Sequence, residues 1–427
     1  MRNEFIHHVR LLSQQLPNTR YAVNLCNDRY LFMVAFSAAI ISGQTNLLPA
    51  NRAARTILDV VQAYEESYCL SDEKLEHLEL PENQIFIFDC QEMPTKDTSC
   101  DIPVIPEQHI AAIAFTSGST GQPSPNPKTW ASLIFGAQKA QQRFEVGKHT
   151  TTSIVATVPP QHMYGLETTV MLPLTTDCCV YAGITFYPED IRLALNNLPE
   201  PRVLVTTPVH LRACTNSNID WPNVERIISA TAPLSTELAK KSENVFSTVV
   251  YEIYGFTEAG SIASRRTIKG NDWMPYDGFA ISQKADTSFV DSESFNEPVP
   301  LTDIIELKPN GNFELLGRES DLINIAGKRA SLADLNQKLL SINGIQDGVF
   351  FVPEEKTSST ARLVAFVVVS DTSENEIRQK LSTMIDRAFL PRPLLLVKKL
   401  PRTESSKLPR KRLIEMYNTL RKETAFT

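Results

Sequence analysis

Residues 114–128 read AFTSGSTGQPSPNPK: the end of an apolar strand, a run of small hydroxyl and glycine residues, then a lysine ahead of a helix-like segment. Glycines let a backbone approach a polyphosphate, while amide N–H groups and hydroxyls donate to its oxygens. Placed directly after HIAAIAF (109–115), the loop is expected to hold phosphate through Thr116, Ser117, Gly118, Ser119, Thr120 and Gly121, with Lys128 as a nearby cation. A plain Ser/Gly turn is the alternative, and the preceding strand weighs against it. No lysine follows Gly121 at the spacing of the GxxxxGK[ST] loop, so this is not a P-loop ATPase.

Outward from this stretch, strand-like pieces alternate with helix-like ones. The strands are YAVNL (21–25), QIFIF (84–88), SIVATV (153–158), VLVTT (203–207), ERIISA (225–230) and VVYEIY (249–254). Between them lie amphipathic segments at 51–67, 130–144, 187–198 and 235–246. Strands alternating with helices of this length predict a mostly parallel α/β sheet, and several strands are apolar almost throughout, as when both faces are covered. A polar segment with three prolines, 91–108, reads as a linker or long loop. After residue 260 the texture changes. Residues 267–300 look loop-rich, and 306–318 (ELKPNGNFELLGR) looks like a hairpin turning at Asn310–Gly311. A β/α mixture then runs through 331–342, 348–352, 362–369, 373–389 and 394–400 to a basic helix at the end. The expected fold is a large α/β domain with mostly parallel sheets plus a small C-terminal α+β domain, without internal repeats.

Composition narrows the function. The 427 residues carry 42 Lys+Arg against 49 Asp+Glu, a net charge of −7. That argues against a general nucleic-acid or membrane-surface binder, which needs a basic excess. The most apolar stretch, YLFMVAFSAAII (30–41), is too short to span a bilayer, and the charged start MRNEFIHHVR is not a secretory signal. Seven cysteines without a CxxC pair suggest buried free thiols, a reducing compartment and a cytoplasmic protein.

TSGSTG followed by Pro and Lys resembles the phosphate loop of the adenylate-forming superfamily: acyl- and aryl-CoA ligases, luciferases and peptide-synthetase adenylation domains. Further segments follow in the family's order. PQHMYGL (160–166) resembles the acyl-pocket segment, which implies His162, Tyr164 and Gly165 beside the reacting carboxylate. SATAPL (229–234), with Ala232, resembles the adenine-side turn usually written GGAPL. YGFTEAG (254–260) matches YGxTE closely, implying Tyr254 and Gly255 near adenine, Thr257 on phosphate and Glu258 serving Mg²⁺. LTD (301–303) resembles the ribose-binding TGD through Asp303, and Arg318 begins the interdomain segment with its hinge position at Ser320. IAGKR (325–329) resembles the loop of the thioester step, with Gly327 and Arg329, and LPRTESSK (400–407) the segment that carries the adenylation lysine, Lys407. Taken singly these residues are ordinary loop, core or surface groups. Their collinear order over 109–412 is what is specific.

The resemblance implies domains at 1–318 and 319–427, the second mobile and carrying Lys407. It also implies ATP and Mg²⁺ as cofactors, a small carboxylic acid substrate, and CoA or the phosphopantetheine of an acidic carrier protein as acceptor. Lys328, Arg329, Lys398, Lys399, Arg402, Arg410, Lys411 and Arg412 make the small domain the basic feature of an acidic chain, compatible with either acceptor. The chain departs from the family pattern in four places. The phosphate loop is four residues longer before Lys128, serine replaces the usual Asp or Lys at 320, Ser406 stands where glycine is usual, and only about 110 residues precede the phosphate loop. The rivals are an amino-acid adenylation domain, disfavoured because Gln161–Tyr164 lacks a carboxylate for an ammonium group, and a catalytically reduced nucleotide-binding member of the family.

Overall fold

The computed structural model describes residues 2–90, 101–117, 123–284, 287–318, 321–325, 328–353, 362–370, 372–403 and 408–425. Two sheets form the large part. The first has six strands in the order Ile85–Ile87, Ser67–Ser71, Tyr21–Asn24, Thr45–Leu48, Ile110–Ser117 and Pro123–Thr129, all neighbours parallel except the last pair. The second has nine. Its parallel half runs Val249–Phe256, Arg226–Ser229, Arg202–Thr206, Thr152–Ala156 and Cys178–Val180. Its antiparallel half continues through Gly260–Arg265, Asp272–Pro275, Phe313–Arg318 and Asp303–Leu307. Thr152–Ala156 is buried along its whole length, as expected for a strand covered on both faces.

Local chemistry explains the helices. Arg29–Ile41 is apolar nearly all round and is therefore packed on every side, with Asp28 capping the Leu31 amide at 3.0 Å. Its first residue, Arg29, is buried, and its guanidinium donates to the carbonyls of Ala156, Val158, Tyr181 and Gly183. That ties a helix of the six-stranded half to the nine-stranded sheet. Trp130–Phe144 is capped by Thr129 and Thr236–Phe246 by Ser235. Six described cysteines are free and five of them are buried.

The C-terminal part has its own core, drawn from Ile323 to Leu413. It contains the hairpin Leu322–Ile325 and Lys328–Ser331, and the helices Leu332–Leu340, Glu374–Met384 and Arg410–Ala425. Its sheet pairs Ile345–Phe351 with Val364–Val369 antiparallel and Leu394–Leu396 parallel. The mixed α/β class with a small α+β part is as the sequence predicts.

Several local expectations change. The segment after the phosphate loop is a strand, Pro123–Thr129, rather than loop. A proline cannot donate to a ladder, so Pro123, Pro125 and Pro127 at alternate positions suit only a sheet edge, with the missing N–H groups along its open side. Residues 267–300 are mostly strand, because Asp272–Pro275 pairs into the large sheet and Phe279–Lys284, Thr287–Ser292 and Val299–Pro300 form a small sheet of their own. The helix-like segment 51–67 is helical only over Ala54–Ala63, and Ser67 already begins a strand. The 91–108 segment joins two strands of one sheet, although residues 91–100 lie outside the described residues.

Candidate active site

Of the segments singled out in the sequence, PQHMYGL, SATAPL, YGFTEAG and LTD meet near the carboxyl ends of the parallel strands in the nine-stranded sheet, where ligands of open α/β sheets bind. Tyr254, at the end of Val249–Phe256, donates its hydroxyl to Asp303 Oδ2 at 2.6 Å, joining YGFTEAG to LTD. Asp303 in turn is register partner to Arg318. Thr257 and Glu258 occupy the turn into Gly260–Arg265, with Glu258 exposed. Gly255 has no substitute here, since a Cβ would lie 2.3 Å from the Gly260 carbonyl oxygen. Lys128, on the buried face of the proline-rich edge strand, reaches across and donates Nζ to the Glu258 carbonyl at 2.6 Å. The longer loop and its strand thus bring this lysine to the turn that holds Glu258.

PQHMYGL opens a helical run from Met163 to Thr175 whose middle, Leu166–Met171, is wound as a π-helix. Such turns are uncommon and frequent at functional sites. His162 sits half-buried just before the run. Gly165 is wedged against the preceding loop, where a Cβ would lie 1.9 Å from the Pro159 oxygen. Tyr164 is buried and donates to the Ile228 carbonyl at 2.8 Å, so its hydroxyl ties the run to the end of Arg226–Ser229. One turn further on, Thr231 occupies the position of a family glycine and keeps a glycine-like φ of +78°. A β-branched residue there carries strain of order 1–3 kcal/mol. Ala232 follows it in the same turn.

Two groups that the sequence reading passed over belong to this edge. Glu167, inside the π-wound turn, accepts from the Ser261 amide at 3.0 Å and from the Ser261 hydroxyl. Burial pushes its carboxyl up, opposed by the Ser261 bonds and by Lys128. Lys128 is pushed down to about 8 by burial, opposed by the charges of Glu167 and Glu258. The other is His210, whose Nδ1 lies 2.9 Å from Thr207 Oγ1 and 3.2 Å from Thr157 Oγ1. The Phe186 ring meets the imidazole edge-on at 5.4 Å, and burial lowers His210 to about 4, so it is neutral at pH 7. A carboxylate directly after PQHMYGL was the one legible signal for Glu167.

Gly118, Ser119, Thr120, Gly121, Ser320, Gly327 and Lys407 lie outside the described residues. Thr116 and Ser117 end the strand that leads into the phosphate loop, and Arg329 lies in the Lys328–Ser331 strand opposite Asn324. Of the cations counted in the small part, Lys328 pairs with Asp386 at 2.6 Å and Arg402 makes a two-point pair with Asp347 at 2.6 and 2.7 Å. Arg212, on the helix Pro208–Thr215 beside His210, is lowered by burial, and it also feels the charges of Asp347 and Arg402.

Among the described residues no three His, Cys, Asp or Glu side chains converge as a metal cage. A single exposed carboxylate in an anchored turn suits Mg²⁺, which keeps waters and phosphate oxygens as its other ligands. No helix among the described residues is long and apolar enough to cross a membrane.

The chain is similar to known ligases. It is 28% identical over 315 residues to a 4-coumarate–CoA ligase of Halorhodospira halophila, covering 70% of this chain and 76% of that protein. It is 21% identical over 311 residues to the 3,4-dihydroxybenzoate–[aryl-carrier protein] ligase of Bacillus anthracis, covering 71% and 73%. In fold it matches an anthranilate CoA ligase in complex with anthranoyl-AMP at a TM-score of 0.80 and 15% identity, over 97% of this chain and 90% of the other. The sequence model of the AMP-binding enzyme family matches residues 6–299, more than half of the chain, and the protein belongs to that family of adenylate-forming enzymes.

Proposed function

We propose that the protein uses ATP to activate a small carboxylic acid as its acyl- or aryl-adenylate, then passes the acyl group to the thiol of CoA or of a phosphopantetheine-bearing carrier protein. The observation that carries this reading is the convergence of separately read segments on one sheet edge, through Tyr254 on Asp303 and Lys128 on the Glu258 carbonyl.

A carboxylate is a poor acyl donor, because oxide would have to leave. In the proposed step its oxygen bonds to the α-phosphorus of ATP, the bond to pyrophosphate breaks, and AMP becomes the leaving group for the thiol. Anion meets anion, so the protein must supply donors and cations. Thr116 to Gly121 donate to the phosphates, Thr257 adds a hydroxyl, and Lys407 bridges the carboxylate and the α-phosphate. Tyr254, Gly255 and Ala232 face adenine, Asp303 the ribose, and Arg318 completes that side. His162 and Gly165 flank the acid. When bound at Glu258, Mg²⁺ would neutralise phosphate charge. Residues 319–427 would turn about Ser320 so that Gly327 and Arg329 replace Lys407 for the thiol step. The relatives include ligases for aryl acids with either acceptor, which supports both halves of the reading. An amino acid is a weaker substrate candidate, since the one carboxylate beside PQHMYGL, Glu167, is engaged through both oxygens by Ser261.

The test is exchange of labelled pyrophosphate into ATP with a panel of aryl and aliphatic acids. We expect acid-dependent exchange, its loss in Lys407→Ala, and retained thioester formation by that variant from supplied acyl-AMP. Equal loss of both half-reactions would overturn the two-orientation mechanism, and no exchange with any acid would overturn the ligase.

A further inference from the structure

Glu167 belongs to none of the family-like segments, yet the turn that carries Glu258 is built against it. The side chain is 6% exposed in the π-wound stretch Leu166–Met171. Both carboxylate oxygens are committed to Ser261, one to its amide and one to its hydroxyl. Gly260 clears the space. A Cβ on it, at φ +77°, would lie 2.4 Å from Glu167 Oε1. From the other side, Lys128 Nζ holds the Glu258 carbonyl at 2.6 Å. The turn is thus gripped at residue 258 by a buried cation and at residue 261 by a buried carboxylate, the two close enough to feel each other's charge.

That is more than packing requires. An isolated buried carboxylate is costly, and an apolar residue could fill the same volume. What an apolar residue could not do is fix the Ser261 amide and hydroxyl, and with them the backbone direction in which the preceding turn presents its side chains. Groups that orient a metal ligand from behind are a recurrent requirement of metal sites.

We propose that Glu167 is a positioning residue for the Mg²⁺–nucleotide site: acting through Ser261, and together with Lys128 on the opposite side, it holds the turn before Gly260 so that the Glu258 carboxylate faces the metal ion of the bound nucleotide. The inference rests on the reading above for the identity of that nucleotide.

The test measures binding to the full chain by calorimetry, with ATP over a range of Mg²⁺ and with Mg²⁺-free AMP, alongside thermal stability and acid-dependent exchange. Glu167→Ala should raise the Mg²⁺ needed for half-maximal ATP binding by about tenfold, the scale of losing a group behind a metal ligand, and leave AMP binding unchanged. Glu167→Gln can still accept from the Ser261 amide and should recover most of the affinity. Ser261→Ala keeps the amide bond, loses the hydroxyl bond, and should shift the Mg²⁺ requirement in the same direction by less. Should Glu167→Ala fail to fold, the other two variants decide the matter. A parallel weakening of AMP and Mg²⁺–ATP binding would mark a purely structural role and overturn the proposal, as would an unchanged Mg²⁺ requirement. Absent exchange with every acid, combined with a Mg²⁺-specific binding defect, would remove the ligase reading and leave this one standing. Normal wild-type exchange without that defect would do the reverse.

Discussion

The two ends of the nine-stranded sheet are made from the same strands and differ in almost every physical respect. At the amino end, partly exposed charges sit in simple pairs: Arg202 with Glu200 at 3.1 Å, Arg226 with Glu225 at 2.8 Å, Arg266 with Glu243 at 2.6 Å. Glu200, Arg202, Glu225 and Glu243 line an open groove that also takes in Thr248. At the carboxyl end, Glu167, Lys128, His210 and Tyr164 are buried, the backbone carries a strained Thr231, and a helix is wound one residue wider than usual. Burying polar groups is unfavourable unless each is hydrogen-bonded, and shifted titrations gather where chemistry is done. The contrast supports the site proposed at the carboxyl end, and it can be attacked from both sides.

The largest effect should come from Gly165→Ala. Its backbone angles, φ −69° and ψ −40°, suit any residue, so the whole penalty is the methyl group meeting the Pro159 carbonyl oxygen. Either the loop or the helical run must move, at a cost of about 4 kcal/mol or more, measurable as a lowered denaturation midpoint. An unchanged midpoint would mean that this end is looser than its contacts imply.

His210 comes next. Its folded-state value near 4 lies below the ordinary 6.5, so between those limits the unfolded chain binds the extra proton. Its contribution is fully present above pH 6.5 and drains away as pH falls toward 4, by about 3 kcal/mol in total. Comparing the pH dependence of stability for wild type and His210→Asn should show the wild type losing that much more on acidification. Parallel curves would contradict the burial of a neutral imidazole.

The smallest effect belongs to the amino end. Glu200→Ala removes one exposed partner of Arg202, which still donates to the Leu198 carbonyl at 2.7 Å. Stability should change by less than about 0.5 kcal/mol, with pyrophosphate exchange unaltered. A clear loss of exchange would give the amino-end groove a role in the reaction and erase the contrast.

Much of the architecture is legible in the residues alone. The strands at 203–207, 225–230 and 249–254 announce themselves because a parallel strand covered on both faces has an apolar or β-branched centre, a property of its own residues. The hairpin around Asn310–Gly311 is equally local, with Gly311 at φ +81° as a tight turn requires. YGFTEAG, LTD and PQHMYGL could be picked out one by one for the same reason: each is a short run of residue types suited to one task. The strands within 267–300 were not legible, because short polar strands acquire their identity from the neighbours they pair with. Pro123–Thr129 was hidden by its prolines, which mark a loop unless the segment is known to lie at an edge.

What the sequence by itself determined, then, was the set of elements and the candidate chemistry, since backbone preference and residue type act over a few positions. Which of those residues meet was decided only by the tertiary structure. Lys128 and Glu258 stand 130 positions apart, and Glu167 and Ser261 stand 94 apart. No local preference encodes a distance of that kind. The packing of the two sheets does, by bringing Pro123–Thr129 of the six-stranded sheet to the turn after Val249–Phe256 of the nine-stranded sheet, beside the helical run from Met163. Gly260 then leaves room for one carboxylate beside it. A buried charge is tolerable only where such partners converge, so Glu167 looks like an odd residue in an apolar segment until the fold supplies Ser261.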